Sequence, residues 1–166
     1  GLIGLAALFL VPLALSFYLY YGTSWRPSGG TQHGELIQPP RPLPAIALTP
    51  VSGGPARPDG LRGAWHLVFL GPADCDEACR DSLVMTRQVR LALDKDMTRV
   101  RRVYLYPGEP SPAAALAAEQ PDLLLASLAG EEGARLVREL PGGGPAGPGQ
   151  WFLVDPLGNL MMAYPA

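Results

Sequence analysis

The chain has 166 residues and a formal net charge of −2, with 13 Lys and Arg against 15 Asp and Glu. No basic stripe runs through it, which argues against nucleic acid as a partner. Its two cysteines are too few for a disulfide scaffold, and the length suits one globular domain once a membrane segment is set aside.

Leu2 to Tyr21, LIGLAALFLVPLALSFYLYY, carries no charge. A helix of about 20 residues spans a hydrocarbon core of roughly 30 Å, and membrane helices tolerate a proline such as Pro12. Tyr18, Tyr20, Tyr21 and Trp25 close the run as an interfacial aromatic belt does. A cleaved signal peptide has a shorter apolar stretch, about 7–15 residues, and a small-residue cleavage site. Residues 1–22 are therefore read as an uncleaved transmembrane anchor that meets the membrane through residues 2–21. Residues 23–44 follow as a spacer, in which Pro27, Pro39, Pro40, Pro42 and Pro44 favour an extended, stiff chain.

The globular part is expected over residues 45–166. Ala45–Thr49 is a candidate short strand, and Pro50–Asp59 a turn-rich connection. The apolar run Trp65–Leu70, bounded by glycines, reads as a buried strand. Asp74, with Glu77 three residues on, predicts an N-cap and capping box. The helix that follows is expected to line one face with Ala78, Leu83, Val84, Val89, Ala92 and Leu93. Val103–Tyr106 is the next strand. Ser111-Pro112 predicts a helix start. Ala113–Glu119 and Glu131–Leu140 look helical, with breaks at Pro121 and Gly130 between them. Pro141–Gly149 (PGGGPAGPG) is a loop that lacks a Gly-Lys-Ser/Thr ending and follows a helix, which argues against a phosphate cradle. Trp151–Val154, a turn at Asp155–Gly158, and Asn159–Tyr164 predict a closing hairpin.

Strands alternating with helices predict an α/β sheet with helices on both faces. The closing hairpin is the order expected of a thioredoxin-like domain, a mixed sheet with flanking helices, here preceded by one transmembrane helix. Such domains usually close with one more helix, and none follows in the residues to Ala166.

Chemistry concentrates at Cys75 and Cys79, four apart between a strand and a helix. Helical residues i and i+4 lie about 5–6 Å apart, a separation open to a disulfide or to one soft metal ion between two thiolates. A helix N-terminus lowers a thiol pKa, while Asp74, Asp76, Glu77 and Asp81 oppose this, with only Arg80 against them. Such an acidic patch suits a cation better than a very acidic nucleophile. The plain alternative is a static disulfide or two inert thiols. His66 falls at the far end of its strand, roughly 13–16 Å from the cysteines, and is read as structural. His33 lies in the spacer. Met161 and Met162 alternate in the last strand, and a thioether is a soft ligand for Cu(I).

Leu61-Arg62-Gly63-Ala64-Trp65 before the apolar strand, then Cys75-x-x-x-Cys79, then Leu153-Val154-Asp155-Pro156-x-Gly158, resembles the Sco/SenC/PrrC group over roughly residues 45–164. Those are membrane-tethered, thioredoxin-like proteins of cytochrome c oxidase assembly. His33-Gly34-Glu35-Leu36-Ile37 and Arg87-Gln88-Val89-Arg90 are also similar to a smaller set of anchored proteins associated with bacterial cytochrome oxidases. The resemblance implies a copper chaperone or thiol–disulfide reductant for the oxidase copper site. Cys75 and Cys79 would be both the redox pair and the Cu(I) ligands, and a cytochrome c oxidase subunit or another membrane protein the partner. The implied location is the bacterial inner membrane, single-pass, with the domain facing the periplasm. The family's third copper ligand is a histidine shortly before the final hairpin. Here Gly142 to Gln150 occupy that stretch, and no histidine lies beyond His66. The alternative function is a non-catalytic accessory subunit or assembly scaffold.

Overall fold

The computed structural model describes residues 1–23, 33–51, 55–108, 113–141 and 149–164. They fall into two compact units, residues 1–31 and 32–166. The first carries helix α1 (Leu2–Gly22), 21 residues long with Pro12 inside it. Its length and apolar composition are sufficient to cross a membrane, and none of it is buried in protein. Trp25 and Pro27 lie outside the described residues.

The second unit is built on a six-stranded sheet. Its elements in chain order are β1 (Glu35–Pro42), β2 (Trp65–Leu70), α2 (Glu77–Ala92), a 3₁₀ turn (Asp94–Arg99), β3 (Val100–Tyr106), α3 (Ala113–Glu119), β4 (Leu123–Ser127), α4 (Gly130–Glu139), β5 (Gln150–Val154) and β6 (Asn159–Tyr164). The spatial order is β1-β6-β5-β2-β3-β4. β2, β3 and β4 run parallel, while β5, β6 and β1 pair antiparallel. Period-two alternation divides the core between the two faces. Val68, Leu70, Val103, Leu105, Phe152 and Val154 pack with Leu136 of α4 on one side. Phe69, Tyr104 and Tyr106 pack with Cys79 and Leu83 of α2 and Leu116 of α3 on the other.

Four local expectations change. Residues 35–42, read as part of a spacer, form the edge strand β1. It pairs with β6 through Glu35 opposite Ala163, Leu36 opposite Met162 and Pro42 opposite Asn159. Its prolines fit because an edge strand leaves one row of N–H groups unused, and they blunt that edge against further pairing. Ala45–Thr49 is no strand: Leu48 makes an isolated bridge to Arg57 and Pro50 another to Ala126. Leu123–Ser127, between the two expected helices, is β4. A short apolar run has no periodicity that separates strand from loop, and β3 supplies the ladder that decides it.

The fourth change is the start of α2. Its N-cap is Asp76, whose Oδ1 accepts the Cys79 N–H at 2.9 Å, and not Asp74. The helix buries only Cys79 and Leu83, so Val84 and Val89, expected in the core, stay 51% and 50% exposed. The predicted helix start at Ser111-Pro112 and most of the Pro141–Gly149 loop lie outside the described residues.

Candidate functional site

β2 delivers the chain to the site. Its ladder continues one residue past the strand, where Gly71 N–H donates to the Leu105 carbonyl at 3.0 Å. Gly71 must be a glycine here: a Cβ would lie 2.6 Å from the Phe69 ring and 2.7 Å from the Tyr104 ring. Cys75 precedes the helix by two residues and Cys79 lies in its first turn. A disulfide joins them, with 5.3 Å between their Cα atoms. The pair is asymmetric. Cys79 is 5% exposed and belongs to the core under α2, whereas Cys75 is half-buried.

A row of aromatic rings lies beneath the disulfide. Tyr104 on β3, Phe69 on β2 and Trp151 on β5 are register partners across three adjacent strands. Their ring centroids are 5.3 Å apart for Phe69–Tyr104 and 4.7 Å for Phe69–Trp151. The Tyr104 hydroxyl donates a short hydrogen bond to the Pro72 carbonyl and lies 3.8 Å from Cys79 Sγ. Desolvation pushes the Tyr104 phenol up to about 12, helped by Tyr106, Asp76 and Asp74.

Arg102 holds the helix above this floor. Its side chain is fully buried on the same face of β3 as Tyr104. It donates to Thr86 Oγ1 at 3.3 Å and, in a short contact, to the Leu83 carbonyl, both on α2. It also donates to Gln120 Oε1 at 2.7 Å and to both Asp122 oxygens at 3.1 and 3.2 Å. Arg90 of α2 closes the group, 3.5 Å from Asp122 and donating to the Val100 carbonyl at 2.8 Å. Almost every donor of the buried guanidinium is thereby used, as a buried charge requires.

The two histidines are remote from the cysteines. His66 is the second residue of β2, at the end of the strand opposite the disulfide, and alternation puts it on the α4 face with Val68 and Leu70. It is 1% exposed, and its Nδ1 has no hydrogen-bond partner among the described residues. Burial is the main cause of its low pKa, about 4; Arg101 and Arg57 add to it, and a backbone hydrogen bond at Ala64 opposes it. His33 stands beside β1, three strands from β2, which at about 4.8 Å per strand is roughly 14 Å. It lines an open cleft of about 710 Å³ with Gly34, Glu35, Pro141, Gln150, Ala163 and Tyr164, and neither cysteine borders that cleft. Met161 and Met162 are both half-buried, because a register shift opposite Leu153 and Val154 interrupts simple alternation. Among the described residues no group of three or more His, Cys, Asp or Glu is placed to hold a metal ion. The cysteine pair supplies two sulfurs and nothing further.

Sequence reading located the two cysteines but not Tyr104 or the Arg102 group. Tyr104 reads as one more residue of an apolar strand, and only the parallel register of β3 with β2 brings its hydroxyl under the loop that precedes α2.

Residues 65–166 match a family model described as the transmembrane-like, thioredoxin-like, C-terminal domain. No curated protein matches the chain. Among solved structures, ScoI from Bradyrhizobium japonicum with copper bound is 22% identical, with a TM-score of 0.55 over 72% of this chain and 86% of that one. BsSco, a Sco-family cytochrome c oxidase assembly protein with a disulfide switch, is 16% identical, with a TM-score of 0.55 over 78% and 87%. A thiol:disulfide interchange protein of the thioredoxin family from Chlorobium tepidum is 22% identical, with a TM-score of 0.55 over 76% and 88%. At these identities the likeness is one of fold: a thioredoxin-like mixed sheet with flanking helices.

Proposed function

The chain belongs to the family of transmembrane-like, thioredoxin-like C-terminal domains, and from there we propose that it is a membrane-anchored thiol–disulfide oxidoreductase working through Cys75 and Cys79. The observation that carries this reading is the asymmetry of the disulfide, with Cys79 buried and Cys75 half-buried at the mouth of α2. An incoming thiolate meets Cys75 Sγ first. Attack there forms a mixed disulfide and expels Cys79 as the thiolate. In the reductive direction, the Cys75 thiolate attacks a client disulfide and Cys79 then attacks the mixed disulfide. The Cys75–Cys79 bond re-forms, and two electrons pass to the client. The first turn of a helix favours thiolate at such positions.

A second reading takes the reduced pair as a carrier of Cu(I). Two thiolates are soft ligands that select Cu(I) over hard cations, and copper-bound ScoI is among the similar folds. Among the described residues the donor set is the two sulfurs, an arrangement that suits Cu(I) held between them. Copper is cargo in this reading, and the disulfide must open before the cargo is taken.

The client we propose for either role is the copper centre of a cytochrome c oxidase, with the domain on the periplasmic side of a bacterial inner membrane. Support comes from the apolar helix α1, from the sequence resemblance to Sco/SenC proteins, and from the fold shared with BsSco.

The test is a redox titration of the full chain in detergent against a dithiol, read by alkylation and mass. Reversible loss and gain of two hydrogens, abolished by Cys75→Ser and by Cys79→Ser, is the expected result. A native disulfide that no dithiol opens would leave only the scaffold role.

A further inference from the structure

Resting on the thiol–disulfide reading above, we infer that the Tyr104 hydroxyl is the hydrogen-bond donor that receives the Cys79 sulfur when the disulfide opens. The difficulty it resolves is specific to the asymmetric pair. Exchange at the accessible sulfur, Cys75, makes the buried sulfur the leaving group. The negative charge therefore appears on Cys79 Sγ, in a core lined by Phe69, Leu83 and Tyr106, where an unpaired anion is costly. Leaving groups depart faster when their thiol pKa is low, and burial in apolar surroundings raises it. Some donor has to offset the burial.

The helix supplies less than its position suggests. The Cys79 N–H is already committed to Asp76 Oδ1 at 2.9 Å, and that carboxylate brings negative charge to the same turn. Asp74 and Glu77 add to it. The Tyr104 Oη lies 3.8 Å from the Cys79 sulfur. In the disulfide state neither sulfur carries a proton, so the phenol proton goes to the Pro72 carbonyl. Opening the bond creates a stronger acceptor within reach of the same oxygen. Rotation about the C–O bond exchanges Pro72 O for Cys79 Sγ, and Pro72, which is half-buried, has solvent nearby to replace the lost bond.

The step balances without proton transfer. A thiolate of an external dithiol forms a bond to Cys75 Sγ, the Cys75–Cys79 bond breaks, and its electron pair stays on Cys79 Sγ. The proton remains on oxygen, because the Tyr104 phenol, at about 12, is a far weaker acid than a thiol at roughly 8.5. Tyr104 thus donates a hydrogen bond to the thiolate and does not quench it, which leaves Cys79 able to attack a mixed disulfide in the reverse direction. The charges of Tyr106, Asp76 and Asp74 discourage its ionisation further.

The test uses the full chain in detergent with Cys75→Ser, which leaves Cys79 as its one thiol, with and without Tyr104→Phe. That substitution keeps the ring stacked on Phe69 and removes only the hydroxyl. Expected is a rise of about one unit in the Cys79 thiol pKa, read from thiolate absorbance and from the pH dependence of alkylation, the size a charged hydrogen bond confers. In the chain with both cysteines, Tyr104→Phe should slow reduction by a dithiol several-fold. An unchanged pKa and an unchanged rate would overturn the inference while the cycling of the unaltered chain kept the exchange reading intact. Failure of the unaltered chain to cycle would remove that reading itself. Should Tyr104→Phe not fold, a carbon label on the Tyr104 ring of the unaltered chain serves instead. Its resonance should shift on reduction, and a signal indifferent to the redox state would overturn the assignment.

Discussion

The Arg102 guanidinium, fully buried, lies 3.1 Å from the Asp122 carboxylate, which is itself 24% exposed. The pair joins β3 to the start of β4, and through Leu83 and Thr86 it also fixes α2, the helix that carries Cys79. Removing the acid leaves a buried cation without its counter-charge. Asp122→Ala should therefore cost about 3 kcal/mol, the low end for a broken buried pair because Asp122 keeps some solvent. Denaturant unfolding of the full chain in detergent measures it. A loss under about 1 kcal/mol would mean that the pair behaves as a surface bridge.

His66 should make the domain sensitive to acid. Its folded pKa, about 4, lies below the ordinary 6.5, so the unfolded state binds the proton more readily. The contribution is fully present above pH 6.5 and is lost as the pH falls through that value towards 4. With the group 1% exposed, the decline over that window is about 3 kcal/mol. His66→Phe should flatten the acid limb between pH 6.5 and 4. An identical limb in the variant would place the acid sensitivity elsewhere.

Copper binding should be selective for oxidation state. The reduced Cys75–Cys79 pair should bind Cu(I) in competition with a chromogenic chelator and bind Cu(II) poorly, because the imidazole that suits Cu(II) is missing from the pair's neighbourhood. Serine at either cysteine should abolish Cu(I) binding. His66→Phe should leave it unchanged, since His66 sits at the other end of β2 and on the other face of the sheet. Tight Cu(II) binding would mean a nitrogen ligand, with His33 the first residue to replace.

The topology follows from the proposed client. A membrane-impermeant thiol reagent or protease applied to intact spheroplasts should reach the domain, after reduction in the case of the thiol reagent. Protection until lysis would put the domain on the cytoplasmic side and would separate it from an outward-facing oxidase copper site.

The cysteine pair, the apolar helix and the strand–helix alternation were legible in the sequence because each is a local property. An uncharged run of membrane length, a hydrophobic period and a four-residue spacing need no partner to be recognised. The same holds for Trp65–Leu70, whose glycine boundaries mark a buried strand whichever strands flank it.

Tertiary structure decided what depends on distant pairings. Glu35–Pro42 is proline-rich enough to read as a stiff spacer, and it becomes β1 only because β6, more than a hundred residues later, offers it an edge. Polyproline and β dihedrals lie close together, so the local chain does not distinguish them. Leu123–Ser127 becomes a strand because β3 lies beside it. Tyr104 and Arg102 are two positions of one strand with one alternation. The sequence assigns them a common face, and nothing local says that α2 and both cysteines will cover it. That juxtaposition puts a hydroxyl 3.8 Å from Cys79 Sγ and a buried cation under Leu83. Sequence alone picked out the two cysteines; the sheet register determined which of the two sulfurs is sheltered, and by what.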